Sequence, residues 1–439
     1  MYRISPLVSM TILGTLCLFE TLCSTRWVYL SKPESLALVT LPYMLCGLGI
    51  ALFPLLRTRT PKPSLRLPFW GKVSLQGLIW LSLAYYFQQL WLHAQQIIAK
   101  FPIDFHRADM LAVIEKQVER FLQSEPIYDI IPEIWGGMPP IYLPAFWAVF
   151  VPAMALGYDI RWTTVILLGG SMLLIYAPLV SLKRTHIFTL LPLIPLYFLM
   201  EAIWTEKTYL LRFTEEGISI FYYLLLGLAI WKRISWLEGI AIGLCLLSRY
   251  SFLPWLVVYG IHLFFLRERR EFFTVVGIST AMFVFLLWIP FGTERLVFFL
   301  GHPGEYQVYA EKLWTKDAIF FQRTLGLAKY FSLDLVALQH RLHLLLTFAA
   351  PGILLATFWH KLKRPEPSSH IHHFFLLCSL KLSLVVFYNL IVVPVYYLFY
   401  VNTFFSVLIL ACYIRFQINH YVAKPSTHVT QPRSTTQRE

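Results

Sequence analysis

Thirteen stretches of apolar residues, most of them long enough to cross a lipid bilayer, leave this chain few folds to choose from. They run over 6–23, 35–56, 73–98, 140–156, 162–181, 187–203, 216–231, 234–247, 252–266, 272–290, 342–360, 372–395 and 397–415. About 20 apolar residues in an α-helix span the hydrocarbon, and a helix satisfies its own backbone hydrogen bonds there. Composition agrees: 57% of the 439 residues are hydrophobic and 14% charged, against roughly 25% charged in soluble domains. The expected fold is all-α, a polytopic membrane helix bundle of twelve to fourteen transmembrane helices.

The net charge of +13 does not point to nucleic acid. The basic residues come as short clusters between apolar spans: "RTRTPKPSLR" at 57–66, "KR" at 183–184, "KR" at 232–233, "RERR" at 267–270 and "KLKR" at 361–364. The positive-inside rule places such clusters in the cytoplasm. Residues 99–139 and 291–341 are then external loops. Thirteen spans cannot put every cluster on one side. Either "FTLLPLIPLYFLMEAIW", with Pro192 and Pro195, is broken or re-entrant, or Lys183 and Arg184 lie outside. The first run resembles a signal peptide but lacks a small-residue cleavage site, so an uncleaved first helix is expected. The six cysteines lie in or beside apolar spans without a CxxC pair, and read as small core residues.

Charge gathers in one place. The stretch "DFHRADMLAVIEKQVERF", residues 104–121, holds two Asp, two Glu, two Arg, one Lys and one His. Met110, Ile114, Val118 and Phe121 or Leu122 recur on one helical stripe, so an amphipathic helix lying in the membrane interface is expected here. Its charges either serve chemistry or keep a surface helix wet. The two long loops hold five of the six aspartates: Asp104, Asp109, Asp129, Asp317 and Asp334.

The order of features in this loop resembles the GT-C superfamily of membrane glycosyltransferases. A helix leads out, Asp109 opens an amphipathic helix, "IYD" follows at 127–129, and "PIYLPAFWAVFVP" returns to the membrane at 140–152. The nearest likeness is to the branch dependent on polyprenol-phosphate sugars, which includes bacterial α-mannosyltransferases. "WLEGIAIGLCLLSRYSFLPWLVV" (236–258) is similar to that family's paired helices, with Arg249-Tyr250 where the family has Lys-Pro. "FFQRTLGLAKYF" (320–331) resembles a late external-loop motif through Gln322 and Gly326. On this resemblance, residues 73–360 form the GT-C-like module. Residues 1–72 are then two extra helices with a basic cytoplasmic loop, 361–415 the C-terminal helices and 416–439 a polar, disordered tail.

The resemblance implies transfer of a sugar, with mannose a candidate, from a polyprenyl-phosphate donor to a lipid or glycan acceptor outside the cytoplasm. Such a reaction needs a carboxylate to take the acceptor's proton and cations on the departing phosphate. Asp109 is the expected base. Asp104 is the alternative, and could equally cap the loop helix. Arg249 is the expected phosphate ligand, a guanidinium fork at the outer end of two spans, unless it only snorkels. His106, Arg107, His302, Gln322 and Arg323 are further substrate-binding candidates. Glu133, Trp135, Tyr142 and Tyr306 would line the sugar site or anchor the interface. No metal site is expected from spacing, although Asp104 with Asp109 leaves a divalent cation open. Lys381, deep in a late span, is expected to face the bundle interior, and the "HIHHF" run is read as interfacial. The expected location is a bacterial cytoplasmic (inner) membrane with the site facing outward. The competing readings are a flippase or other transporter for lipid-linked oligosaccharides, and an O-antigen polymerase or ligase.

Overall fold

The computed structural model describes residues 5–31, 36–56, 68–105, 110–134, 137, 140, 142–180, 186–205, 207, 209–293, 324–331, 333–363 and 370–422. Among them the chain is built from helices, with no strand. Every one of the thirteen apolar stretches becomes one, because in a bilayer no other local structure pairs all its amides.

The chain opens with α1 (Pro6–Leu30), which contains one π-helical turn at Cys23–Trp27, and α2 (Ala37–Leu56). The long α3 (Phe69–Lys100) would measure about 48 Å at 1.5 Å per residue. It therefore outruns the hydrocarbon and carries the chain into the loop that follows. There α4 (Met110–Leu122) lies against α5 (Pro144–Ala155). Next come α6 (Arg161–Tyr176), α7 (Leu193–Trp204), α8 (Glu216–Lys232), α9 (Ser235–Leu246), α10 (Leu253–Leu266) and α11 (Arg269–Thr293). The last three are α12 (Val336–Leu362), α13 (His370–Leu390) and α14 (Phe399–Val422).

Seven of these are both long and apolar enough to cross a membrane among the described residues: α1, α2, α7 with its 3-10 lead-in from Ile187, α11, α12, α13 and α14. The remaining apolar helices α5, α6, α9 and α10 are shorter. The ambiguous 187–203 stretch is a broken one. A 3-10 turn at Ile187–Leu190 precedes α7, with Pro192 as the N-cap, since a proline cannot donate to a preceding turn.

Helix α14 sits at the centre. It is largely apolar and buried almost throughout, as a helix wrapped by other helices must be. Around it stand α1, α8 and α13, with α2, α6 and α7 also touching it. The two N-terminal helices, which the resemblance leaves outside the module, therefore form part of the core. Helix α14 also continues through residues expected to begin a polar tail, up to Val422. All six cysteines are buried and unbridged.

One motif explains a close pair. Gly239 and Gly243 stand four apart on α9, and α11 lies directly against them. A Cβ on Gly239 would meet the Val275 carbonyl oxygen at 3.0 Å and Ile278 Cβ at 2.8 Å, and one on Gly243 would meet Met282 Sδ at 2.8 Å. Small residues at this spacing let helix backbones approach in a membrane, and Ser279 Oγ donates to the Gly239 carbonyl at 3.0 Å.

Candidate functional site

The charged loop helix is more embedded than its pattern suggests. Leu111, Ile114 and Val118 face the main core, while Ala112 and Val113 join Ile131 and Ile134 in a small second cluster. Burial on two sides replaces the single expected stripe. Phe121 and Leu122, expected on that stripe, are largely exposed, although the Phe121 ring still lies 5.3 Å from Trp147.

The return segment is tied down by polar contacts. Gln117 Nε2 and Tyr128 OH both donate to the Tyr142 carbonyl, at 3.4 and 3.3 Å, and Trp147 Nε1 donates to Tyr128 OH at 3.2 Å. Arg120 donates to the carbonyls of Asp129 and Ile130, which makes Asp129 part of a clasped turn. The Ala145 amide donates to the Leu247 carbonyl at 3.1 Å and accepts at its own carbonyl from Tyr222 OH at 2.9 Å. The return segment is thereby fastened to the junction of α9 and α10.

Arg249 stands at that junction, and it is not the lone cation expected. Its Nη2 donates to Glu215 at 3.3 Å and also to Glu216, and Nε donates to Ser219 Oγ at 3.2 Å. Both carboxylates are buried, whereas the Arg249 side chain is 20% exposed. The guanidinium lies 5.3 Å from the centre of the Phe146 ring, which in turn lies 5.7 Å from that of Tyr142. Two of the expected substrate-binding residues, Arg249 and Tyr142, thus flank one phenylalanine. Behind them Ser251 Oγ bonds to Tyr223 OH at 2.9 Å and Tyr388 OH at 3.4 Å.

Glu215 and Glu216 were missed from the sequence. Their signal is "TEE" at the mouth of an otherwise apolar span, where the first turn of α8 favours negative charge. The second Glu216 oxygen, Oε2, is buried without a hydrogen-bond partner among the described residues.

A second charged group closes the other side of the loop. Arg161 is buried and makes a two-point bond to Asp159, Nε to Oδ1 at 2.8 Å and Nη2 to Oδ2 at 2.6 Å, while Nη1 donates to the Phe101 carbonyl at 2.6 Å. This joins the end of α3 to the start of α6. Burial, and next the nearby Asp159 carboxylate, raise the Glu115 pKa above the ordinary value. Asp104 is exposed beside this junction. With Phe101, Pro102, Ile103, Phe105, Arg212 and Phe213 it lines a cavity of about 330 Å³, and the Arg212 guanidinium stacks 3.6 Å from the Phe101 ring centre. Glu133 is exposed on a turn below Lys116, whose ammonium pairs with Glu119 at 2.7 Å.

Asp109, His106, Arg107, Trp135, His302, Tyr306, Gln322 and Arg323 lie outside the described residues. Gly326, matched to the late loop motif, rests against Pro394. Among the described residues no three His, Cys, Asp or Glu side chains gather as a metal site. Two of the "HIHHF" histidines make hydrogen bonds: His372 bonds to His262 at 3.1 Å and His373 to the Trp231 carbonyl at 3.1 Å. No protein family, curated protein or solved structure matches the chain.

Proposed function

We propose that the chain is an integral-membrane glycosyltransferase that moves a sugar, mannose being the first candidate, from a polyprenyl-phosphate donor to an acceptor hydroxyl on the non-cytoplasmic side. The observation that carries this reading is Arg249. It is a partly exposed guanidinium held by two buried carboxylates and roofed by the aromatic return segment, at the end of α9 away from Lys232 and Arg233. A donor tail can enter sideways from lipid, and its phosphate would meet the exposed part of the guanidinium fork.

In the reaction the acceptor oxygen attacks the anomeric carbon and a carboxylate takes its proton. The bond to the donor phosphate breaks, and that phosphate leaves with the electron pair. Asp109 is the proposed base by resemblance, with Asp104 on the same loop as the alternative. Arg249 would steady the departing phosphate, and Glu215 with Glu216 would hold its guanidinium in place. His106, Arg107, Glu133, Tyr142, His302, Gln322 and Arg323 are proposed to contact donor or acceptor.

The test is transfer from a labelled polyprenyl-phosphate sugar to lipid extracts by the reconstituted protein. Asp109→Asn is expected to lose turnover and keep donor binding. Full turnover in that variant overturns the base assignment. A second reading, transport of a lipid-linked glycan, is favoured by the buried Glu20–Lys381 ion pair, because charges inside a membrane often mark a translocation path. Movement of labelled lipid across the bilayer with no new glycosidic bond would replace the transferase reading with that one.

A further inference from the structure

The cavity of about 330 Å³ beside Asp104 opens where the end of α3 meets the helical turn Leu210–Phe213. We infer that it is a sugar-binding subsite, which takes a pyranose ring of the acceptor. The word acceptor rests on the transferase reading, whereas the sugar rests on the cavity itself.

The walls have the chemistry that an uncharged sugar needs. Three rings line the cavity, Phe101, Phe105 and Phe213, and the Tyr209 ring lies 5.8 Å from that of Phe213. The face of an aromatic ring is electronegative, and the C–H-rich face of a pyranose is the part of a sugar that rests on it. The hydroxyl edge needs donors and acceptors. Arg212 brings a fork of N–H donors and Asp104 brings a carboxylate. A carboxylate has about four acceptor positions, so Asp104 can hold a neighbour and a hydroxyl at once. One cation set against one anion suits a neutral ligand. A lipid tail would instead bury both charges without partners, at a cost. The volume stands at the small end of ligand sites, which run from about 300 to 1,000 Å³, and this fits a sugar ring and not a long polyprenyl chain.

The walls are set before any ligand arrives. The Arg212 guanidinium lies 3.6 Å from the centre of the Phe101 ring and 4.8 Å from that of Phe213, and a stacked guanidinium still offers its edge to hydrogen bonds. Phe101 is held from behind, because Arg161 Nη1 donates to its carbonyl at 2.6 Å and Arg161 is itself locked onto Asp159. The turn that presents Arg212 packs against α3, α6 and α7. It begins at Tyr209 in the left-handed region, φ 50°, a conformation that a bulky residue keeps only where its surroundings impose it. A plain connection between α7 and α8 would need neither that start nor a half-buried cation stacked at a cavity wall.

Position ties the cavity to the proposed chemistry. Arg212 stands four residues before Glu216, which holds Arg249. Even fully extended, that stretch spans no more than about 14 Å. One short segment therefore carries both the sugar subsite and the carboxylate that fixes the phosphate ligand. Donor and acceptor must be brought into register for transfer, and a shared segment does this.

The experiment uses the full chain in phosphatidylcholine nanodiscs without donor. The probes are methyl α-mannoside, methyl α-glucoside and methyl α-galactoside. Saturation-transfer NMR reads binding and its dissociation constant, and the unfolding temperature confirms that each variant is folded. At least one glycoside is expected to bind. Phe101→Leu removes the ring and keeps the carbonyl that Arg161 holds. Arg212→Lys keeps the charge and loses the planar fork. Each should weaken binding about fivefold to tenfold, while Trp236→Leu, which removes an exposed ring at the start of α9, should bind as the wild type does. With donor added and the bound glycoside as acceptor, both variants should raise the KM for the glycoside by the same factor and largely keep kcat. Binding that both variants weaken, with no transfer by the wild type, keeps the sugar site and removes the transferase reading alone. No glycoside bound by the wild type, or equal binding by the wild type and both variants, overturns the site whether or not transfer is seen.

Discussion

Lys381 Nζ lies 2.6 Å from Glu20 Oε1, with both side chains completely buried and 361 positions apart in the chain. The ion pair joins α13 to α1 and is fully enclosed. Lys381 also donates to the Asn402 carbonyl and side-chain oxygen, Asn402 Nδ2 donates back to Glu20, and Ser406 Oγ donates to Glu20 Oε2. Tyr43 OH accepts from Asn402, so α2 enters the same network.

Breaking this pair from one side strands a charge in the membrane interior. Lys381→Met or Glu20→Gln alone is expected to cost about 3–5 kcal/mol. The double variant Glu20→Gln/Lys381→Met should cost less than the sum, because neither charge is left behind. Denaturant unfolding of the purified protein in detergent, run as a double-mutant cycle, reads the coupling. Additive losses would mean the two residues act separately.

How far the sequence carried this architecture depends on the kind of signal. The spans were legible because an apolar run has only one structure open to it in lipid. Partnerships between helices were not, because nothing local announces them. The sequence marks Lys381 as a cation facing inward, yet its partner Glu20 sits inside the first apolar run. One carboxylate and one ammonium, each alone in a span, are in retrospect a pairing signal. Arg249 looks unaccompanied in the sequence for the same reason: Glu215 and Glu216 open a different helix. The stripe on α4 was offset because a loop helix packed on two sides buries residues such as Ala112 and Val113 that a flat interfacial helix would leave wet.

The loop helix α4 offers a titration. The Glu115 carboxyl is pushed above its ordinary value by burial, and next by Asp159. A carboxylate whose pKa is raised on folding contributes stability below its unfolded pKa and loses it as pH rises through the folded value. At neutral pH the ionised form is therefore a burden. Glu115→Gln should raise the unfolding temperature at pH 7, and the gain should vanish at acid pH, where wild-type Glu115 is protonated. A gain that persists unchanged into acid would mean the charge is not its source.

Lys329 gives the opposite sign. Its ammonium donates to Thr40 Oγ1 at 2.6 Å and to the Thr324 carbonyl at 2.9 Å, and burial lowers its pKa to about 8. The unfolded chain then holds more protons than the folded one between about pH 8 and the ordinary lysine value. Stability from this group therefore rises with pH across that window. The stability difference between wild type and Lys329→Met should shift in favour of the wild type from pH 8 to 10. Labelling with acetic anhydride should show Lys329 becoming reactive with a midpoint near pH 8, and a midpoint at the ordinary lysine value would refute the shift.

Arg249 separates folding from chemistry. Arg249→Gln takes the guanidinium away from both buried carboxylates, Glu215 and Glu216, so the single variant should be destabilised by about 3–5 kcal/mol. Adding Glu216→Gln removes one of the two buried charges that lose the guanidinium, and the double variant should recover part of the unfolding temperature. If the guanidinium also steadies the donor phosphate, the refolded double variant remains about a hundredfold to a thousandfold slower in sugar transfer, the loss seen when one such stabilising donor is removed. Lysine at 249 keeps the charge but not the planar fork, and should fall between the two in both measurements. Wild-type transfer by the double variant would leave Arg249 as a structural tie between α8 and the α9–α10 junction, with no part in the chemistry.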